Sequence, residues 1–185
     1  MLSVDKKPIV GIIGLGIFSL DFAQRCADAG YDILVGSIEC IHICNATVGK
    51  IGKKARAVPL ELAASADILF IFSPKEKSYL LSASLPCLAG KMVFFHQYYF
   101  QKRDIRIRAN EKKLPLPLFL YKALRDADVV QIYSSLTKSA CSSANCTLYY
   151  STNCPAAAET AALFLDSINY KTPIFLNSKE YKNRP

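Results

Sequence analysis

Pro8-Ile-Val-Gly-Ile-Ile-Gly-Leu-Gly-Ile-Phe-Ser-Leu-Asp-Phe-Ala-Gln-Arg-Cys-Ala-Asp-Ala-Gly-Tyr-Asp-Ile-Leu-Val-Gly36 reads as a buried strand, a glycine turn, an amphipathic helix and a second strand. That order, within about thirty residues, opens a doubly wound (Rossmann-type) α/β fold with a mostly parallel sheet, in its dinucleotide-binding form. The glycines supply the reason. Gly14 lets the chain turn sharply as it leaves the strand. Gly16 has no Cβ, so a pyrophosphate can approach the backbone closely. The helix beginning near Ile17 points its free N–H groups and positive dipole end at that phosphate. Leu15 and Phe18 flank this contact, and Ser19 stands where the usual fingerprint has a third glycine. That glycine serves close helix–strand packing, and serine is the least disruptive polar substitute. Candidate cofactor-binding residues here are therefore Gly14, Leu15, Gly16, Ile17, Phe18 and Ser19.

The 185 residues are expected to make one domain of ordinary size, 1–185, with 178–185 as a polar surface tail. The chain is 51% apolar, yet no run reaches the roughly 18 residues of a membrane span. Lys6 and Lys7 before the apolar stretch from Pro8 to Leu20 imitate a signal peptide, but the glycine spacing explains that stretch better. A cytoplasmic protein is expected, with the sequons at Asn45-Ala-Thr47 and Asn145-Cys-Thr147 incidental. The seven cysteines are odd in number and include no C-x-x-C, as expected of small buried apolar residues. Cys40-x-His42-x-Cys44 holds two ligand types but no second pair at finger-like spacing, so no metal is expected.

The net charge is +8, and basic residues concentrate in two places. Lys50, Lys53, Lys54 and Arg56 follow the second strand, where a dinucleotide's adenosine ribose would lie. They read as a solvated face or as a phosphate sensor. Lys102, Arg103, Arg106, Arg108, Lys112 and Lys113 alternate with Ile105 and Ile107. No nucleic-acid module accompanies them, and nucleic acid is not the expected partner.

Strands are predicted near 8–14, 31–36, 55–58, 67–72, 91–96, 127–133, 146–151 and 172–176. Helices are predicted near 16–29, 60–65, 75–84, 115–124 and 155–168. Short apolar strands without polar alternation, such as Asp67-Ile-Leu-Phe-Ile-Phe72, suit a parallel sheet covered on both faces. Pro155 after Asn153 and Cys154 marks a helix start.

The order of elements, with the words Ile12-Ile-Gly-Leu-Gly-Ile-Phe18, Ala29-Gly-Tyr31, Val35-Gly-Ser37, Ala64-x-x-Asp67-Ile, Leu88-x-Gly-Lys-Met-Val93, Val129-Val-Gln-Ile-Tyr-Ser-Ser135 and Lys179-Glu180, carries a resemblance over nearly the whole chain. It resembles the cytosolic oxidoreductase domain of the six-transmembrane epithelial antigen of the prostate metalloreductases, itself similar to deazaflavin-dependent NADP reductases. The resemblance implies an NADPH-binding domain that passes hydride to a flavin or deazaflavin. The family's membrane domain would follow near Lys179, and none is expected in this chain. The microbial relatives leave room for a homodimer.

Departures from the family fall where the chemistry would be. The arginine that holds the 2′-phosphate after Gly-Ser is Ile38 here, and Glu39 follows. Lys50, Lys53 or Lys54 would substitute only as point charges, without bidentate geometry. After the fourth strand a His-Arg pair is replaced by Ser73-Pro-Lys-Glu76. After the fifth, an Asp followed by Ser-Asn-Asn gives way to Phe95 and then Gln97-Tyr-Tyr99. After the sixth, Lys-Ala-Phe-Asn-Thr becomes Gln131-Ile-Tyr-Ser-Ser135. Ser37 remains on the adenosine side, and Ser73, Lys75 and Gln97 are the nearest polar groups on the nicotinamide side.

Three readings follow. The leading one is an NADP(H)- or NAD(H)-binding oxidoreductase that reduces a flavin or similar acceptor, with no catalytic side chain assignable, because the cofactor carries the chemistry. The alternative is a cofactor-free or silent relative serving as a protein-interaction module. Phe94 and Phe95 are expected in the core, and Tyr98 and Tyr99 at a partner surface. The third is a basic 102–113 segment that meets nucleic acid or an anionic membrane face.

Overall fold

The computed structural model describes residues 7–38, 41–74, 78–98, 124–133, 148–152, 154–170 and 173–175. Strands and helices alternate: β1 (Val10–Ile13), α1 (Ile17–Asp28), β2 (Ile33–Gly36), α2 (Ile41–Ile51), β3 (Ala55–Ala57), α3 (Leu60–Ala64) and β4 (Ile68–Pro74). Then come α4 (Ser78–Ser84), β5 (Met92–Tyr98), β6 (Asp128–Tyr133), β7 (Tyr149–Thr152), α5 (Ala157–Ser167) and β8 (Ile174–Phe175). The strands form one sheet in the order β3-β2-β1-β4-β5-β6-β7-β8. Neighbours from β3 to β6 are parallel; β7 runs antiparallel to β6, and β8 parallel to β7. This is the expected doubly wound, mostly parallel α/β sheet.

The central strands bury both faces, so their side chains divide by parity. Val10, Ile12, Phe70, Phe72 and Phe94 join Phe22, Cys26 and Phe164 in one cluster. Ile13, Leu69, Ile71, Val93 and Phe95 join Leu60, Ala63 and Leu81 in the other. Phe70 stacks on Phe94 at 4.6 Å between centroids, and Phe22 meets Phe70 at 4.6 Å. Each such pair adds about 0.5–1.5 kcal/mol beyond area burial. Phe94 and Phe95 thus lie in the core, as expected.

All eight strands fall where the sequence placed them, as do four of the helices. The predicted helix 115–124 and the tail 178–185 lie outside the described residues, apart from Leu124 in a turn. α2 corrects the sequence reading, which put no element between 36 and 55. Its apolar pattern misleads because Ile41 and Ile43 are exposed while Cys44 and Ile51 carry its contact with the core. Among the described residues, no helix is long and apolar enough to cross a membrane.

Candidate dinucleotide crevice

The strand order reverses at β1. The chain passes through α1 to β2 on one side, and returns after α3 to β4 on the other. Connections leaving β1 and β4 in opposite directions open a crevice at their carboxyl ends, where open α/β sheets bind ligands. Gly14 and α1 stand at its mouth.

Gly14 has φ +88, and its N–H donates to the Gly36 carbonyl at 3.0 Å. A Cβ there would stand 1.9 Å from the Phe72 carbonyl oxygen. Close approach of β1 to β4 therefore requires this glycine before any ligand is considered. Gly16 differs. Its φ of 174 is extended backbone, and it is exposed as the N-cap of α1. Helix geometry leaves the N–H groups of the following turn without intrahelical carbonyls. Ile17 begins that turn. Leu15 is half-buried against the Phe22 cluster. Phe18 sends its ring into the core, so its backbone is what it can offer a phosphate. Ser19 is buried and accepts a hydrogen bond from the Gly16 N–H at 2.7 Å. Its hydroxyl donates to the Gly16 carbonyl at 2.8 Å. It pins the turn as well as replacing a packing glycine.

At the carboxyl end of β2, Ser37 and Ile38 follow the strand and are half-buried. Ile38 packs with Val58 against the cluster containing Ile13, Leu34 and Leu60. α3 abuts the end of β2, since a Cβ on Gly36 would lie 2.8 Å from Ala63 Cβ and 3.2 Å from Leu60 Cα. The lysines considered as phosphate sensors are elsewhere, whereas Arg56 of the same cluster is exposed on β3, opposite Leu34 of β2. Lys54 Nζ lies 3.2 Å from Asp32 Oδ1, and the Lys54 carbonyl accepts from the Ile33 N–H at 2.8 Å. Both contacts are at the amino end of β2, opposite the crevice. Lys53 precedes Lys54, and Lys50 sits in the last turn of α2, leading to that same end. The sensor role for these lysines is corrected: sequence proximity to β2 did not show at which end of the strand they fold.

At the carboxyl ends of β4 and β5, Ser73 and Gln97 are cross-strand partners in the register, and Pro74 pairs with Tyr98. Lys75 and Tyr99 lie outside the described residues. His96, which the sequence reading passed over, is 4% exposed beneath the mouth of the crevice. Its ring faces Phe18 at 4.7 Å and Phe72 at 6.0 Å. A lone imidazole in the apolar run Met92-Val-Phe-Phe-His96 at a strand's carboxyl end was the available signal.

His42 is exposed, whereas Cys44 is buried in the core. Two residues along a helix lie about 200° apart, so these side chains do not converge on one ion. Burial pushes the Cys26 thiol well above its ordinary range.

No protein-family model and no curated protein sequence matches this chain. Solved structures do. A hypothetical protein from Sinorhizobium meliloti superposes with TM-score 0.74 at 16% identity, over 94% of this chain and 86% of that one. A protein described as an F420-dependent NADP reductase, from Arthrobacter, gives 0.70 at 16% identity, over 95% of this chain and 88% of that one. An imine reductase from Myxococcus stipitatus in complex with NADP+ gives 0.59 at 16% identity, over 94% of this chain and 56% of that longer one. At such identities the likeness shows the fold alone.

Proposed function

We propose that this chain is an NADP(H)- or NAD(H)-binding oxidoreductase domain that positions the nucleotide for hydride transfer to a flavin or a related acceptor. One observation carries the reading. The exposed N-cap Gly16 and the first turn of α1 stand where the strand order reverses, with nothing beyond a hydrogen at the Gly16 Cα. The residues present fit a pyrophosphate there: a glycine that permits close approach, N–H groups beyond it, and a positive helix end.

A nicotinamide nucleotide held there would supply the hydride from its own ring. The chain's part is to bind and orient. Backbone N–H groups of the first turn of α1 hold the pyrophosphate. Ser37 lies on the adenosine side, and the Ser73–Gln97 pair, with Lys75 after it in sequence, on the nicotinamide side. The floor of Phe18, Phe72 and His96 is buried and excludes water from beneath the turn. The resemblance to metalloreductase and deazaflavin-dependent domains supports a flavin-class acceptor. So does the neighbour described as an F420-dependent NADP reductase.

One observation favours a second reading, a silent relative that meets a protein partner through the Tyr98-Tyr99 region. The fold alone accounts for Gly14, through Phe72, and for Ser19, through Gly16. Their presence therefore needs no ligand. Thermal melts with NADPH and NADH separate the readings. A ligand bound only to the native state adds about 2.7 kcal/mol at a hundredfold excess over its Kd, and a raised Tm is expected. Loss of nucleotide absorbance on adding flavin or deazaflavin would then report hydride transfer. No rise with either nucleotide at millimolar concentration sinks the oxidoreductase reading and leaves the silent one.

A further inference from the structure

We infer that Ile38 sets this site against a 2′-phosphate, so that the chain takes NAD(H) in preference to NADP(H); the inference rests on the dinucleotide reading above. The ribose of a nucleotide lying across the crevice would meet the carboxyl end of β2, where the chain continues Gly36-Ser37-Ile38. A 2′-phosphate there would carry close to two negative charges and would need cations or convergent donors to replace its water. The structure sets an apolar wall instead. Ile38 is half-buried with Val58 on the Ile13, Leu34 and Leu60 cluster, so its side chain is packing rather than reaching.

The three lysines near this wall are in the wrong place and its nearest carboxylate has the wrong sign; the cation closest to it is Arg56, exposed on β3 opposite Leu34 and two residues before Val58. Lys54 is engaged with Asp32 at the amino end of β2, and Lys50 and Lys53 lie toward that same end. The β2 strand of four residues separates them from Ile38, about 13 Å at 3.3 Å per residue. Glu61 lies in the first turn of α3, next to Leu60, which closes on Gly36. Its exposed carboxylate would repel a phosphate and leave a neutral 2′-hydroxyl unaffected. Among the described residues at the carboxyl ends of β1, β2 and β3, the one imidazole is His42, exposed in the first turn of α2. A hydroxyl in place of the phosphate asks only for a hydrogen-bonding partner, a role within reach of Ser37.

Calorimetric titration of the full chain with NADH and with NADPH tests this. NADH should bind at least about tenfold more tightly, a difference of about 1.4 kcal/mol. Ile38→Arg should tighten NADPH about ten- to a hundredfold by a charge-assisted pair and move NADH little. Arginine at a half-buried position can disturb packing, so Glu61→Gln, an exposed change, serves as a second variant and should tighten NADPH alone. Equal affinities, or tighter NADPH, in the wild type overturn the inference while leaving the dinucleotide reading intact. If NADPH wins and Arg56→Ala or His42→Ala abolishes its advantage, that cation is the sensor and Ile38 is not. If neither nucleotide binds, the dinucleotide reading itself falls and takes this inference with it.

Discussion

Gly14 and Gly16 stand two residues apart and answer to different forces. The first is fixed by the sheet: φ +88 and a Phe72 carbonyl oxygen 1.9 Å from any Cβ. Gly14→Ala should cost at least about 3 kcal/mol, since positive φ strains alanine and β1 must part from β4. For a chain of this size that is a fall in Tm of roughly 6–12 °C. Gly16 has extended backbone and an exposed position, so Gly16→Val should fold with a Tm within about 2 °C of wild type. Its branched side chain would then occupy the approach to the first turn of α1, and the nucleotide-dependent rise in Tm should vanish. A Gly16→Val protein that still shows the full rise would remove the pyrophosphate from this turn.

At the scale of elements, α1 is held at both ends. Ser19 ties its start to Gly16. Near its end, Arg25 Nε lies 2.9 Å from Asp21 Oδ2, which also accepts from the Tyr170 hydroxyl at 2.9 Å. The Arg25 guanidinium sits over the Tyr170 ring at 4.4 Å, tying α1 to the chain beyond α5. Just after Arg25, Cys26 is buried with its thiol pushed up by desolvation alone. The sign of the linkage is definite. The unfolded thiol ionises above about pH 8.5, while the buried one keeps its proton. The unfolded state then binds fewer protons, and stability falls as pH rises past that value. Cys26→Ala removes this loss. Unfolding free energies measured from pH 7 to pH 10 should therefore fall less steeply in the variant, by up to about 1.4 kcal/mol per pH unit. Parallel slopes would show that Cys26 ionises in the folded state.

Across the whole molecule, protection should follow the sheet from centre to edges. β1, β4 and β5 are paired on both sides and buried on both faces, whereas β8 is a two-residue edge strand with Ile174 and Phe175 exposed. Local opening is easiest where few apolar contacts must be broken. In hydrogen exchange, the amides of Ile12, Phe70 and Phe94 should be among the slowest, and those of β8 among the fastest of the sheet. Equal protection across the sheet would mean that it opens only as a unit. The same asymmetry suits the crevice: its walls belong to the most protected strands, so the turn at Gly16 is presented on a rigid support.

Local pattern along the chain was enough to place the alternating strands and helices and the glycine turn. Those properties follow from local pattern: apolar runs such as Ile68-Leu-Phe-Ile-Phe72, a glycine turn between strand and helix, and a proline just ahead of the last helix. Tertiary structure decided the rest, because distance along the chain does not say which end or face of an element a residue occupies. Lys53 and Lys54 follow β2 in sequence yet fold at its amino end, because α2 carries the chain back down the sheet before β3 begins. α2 itself was hidden because its outward isoleucines blur the helical period. Gly14 owes its identity to a carbonyl 58 residues away, on a neighbouring strand. The buried place of His96 against Phe18 likewise arises only when β5 meets the first turn of α1.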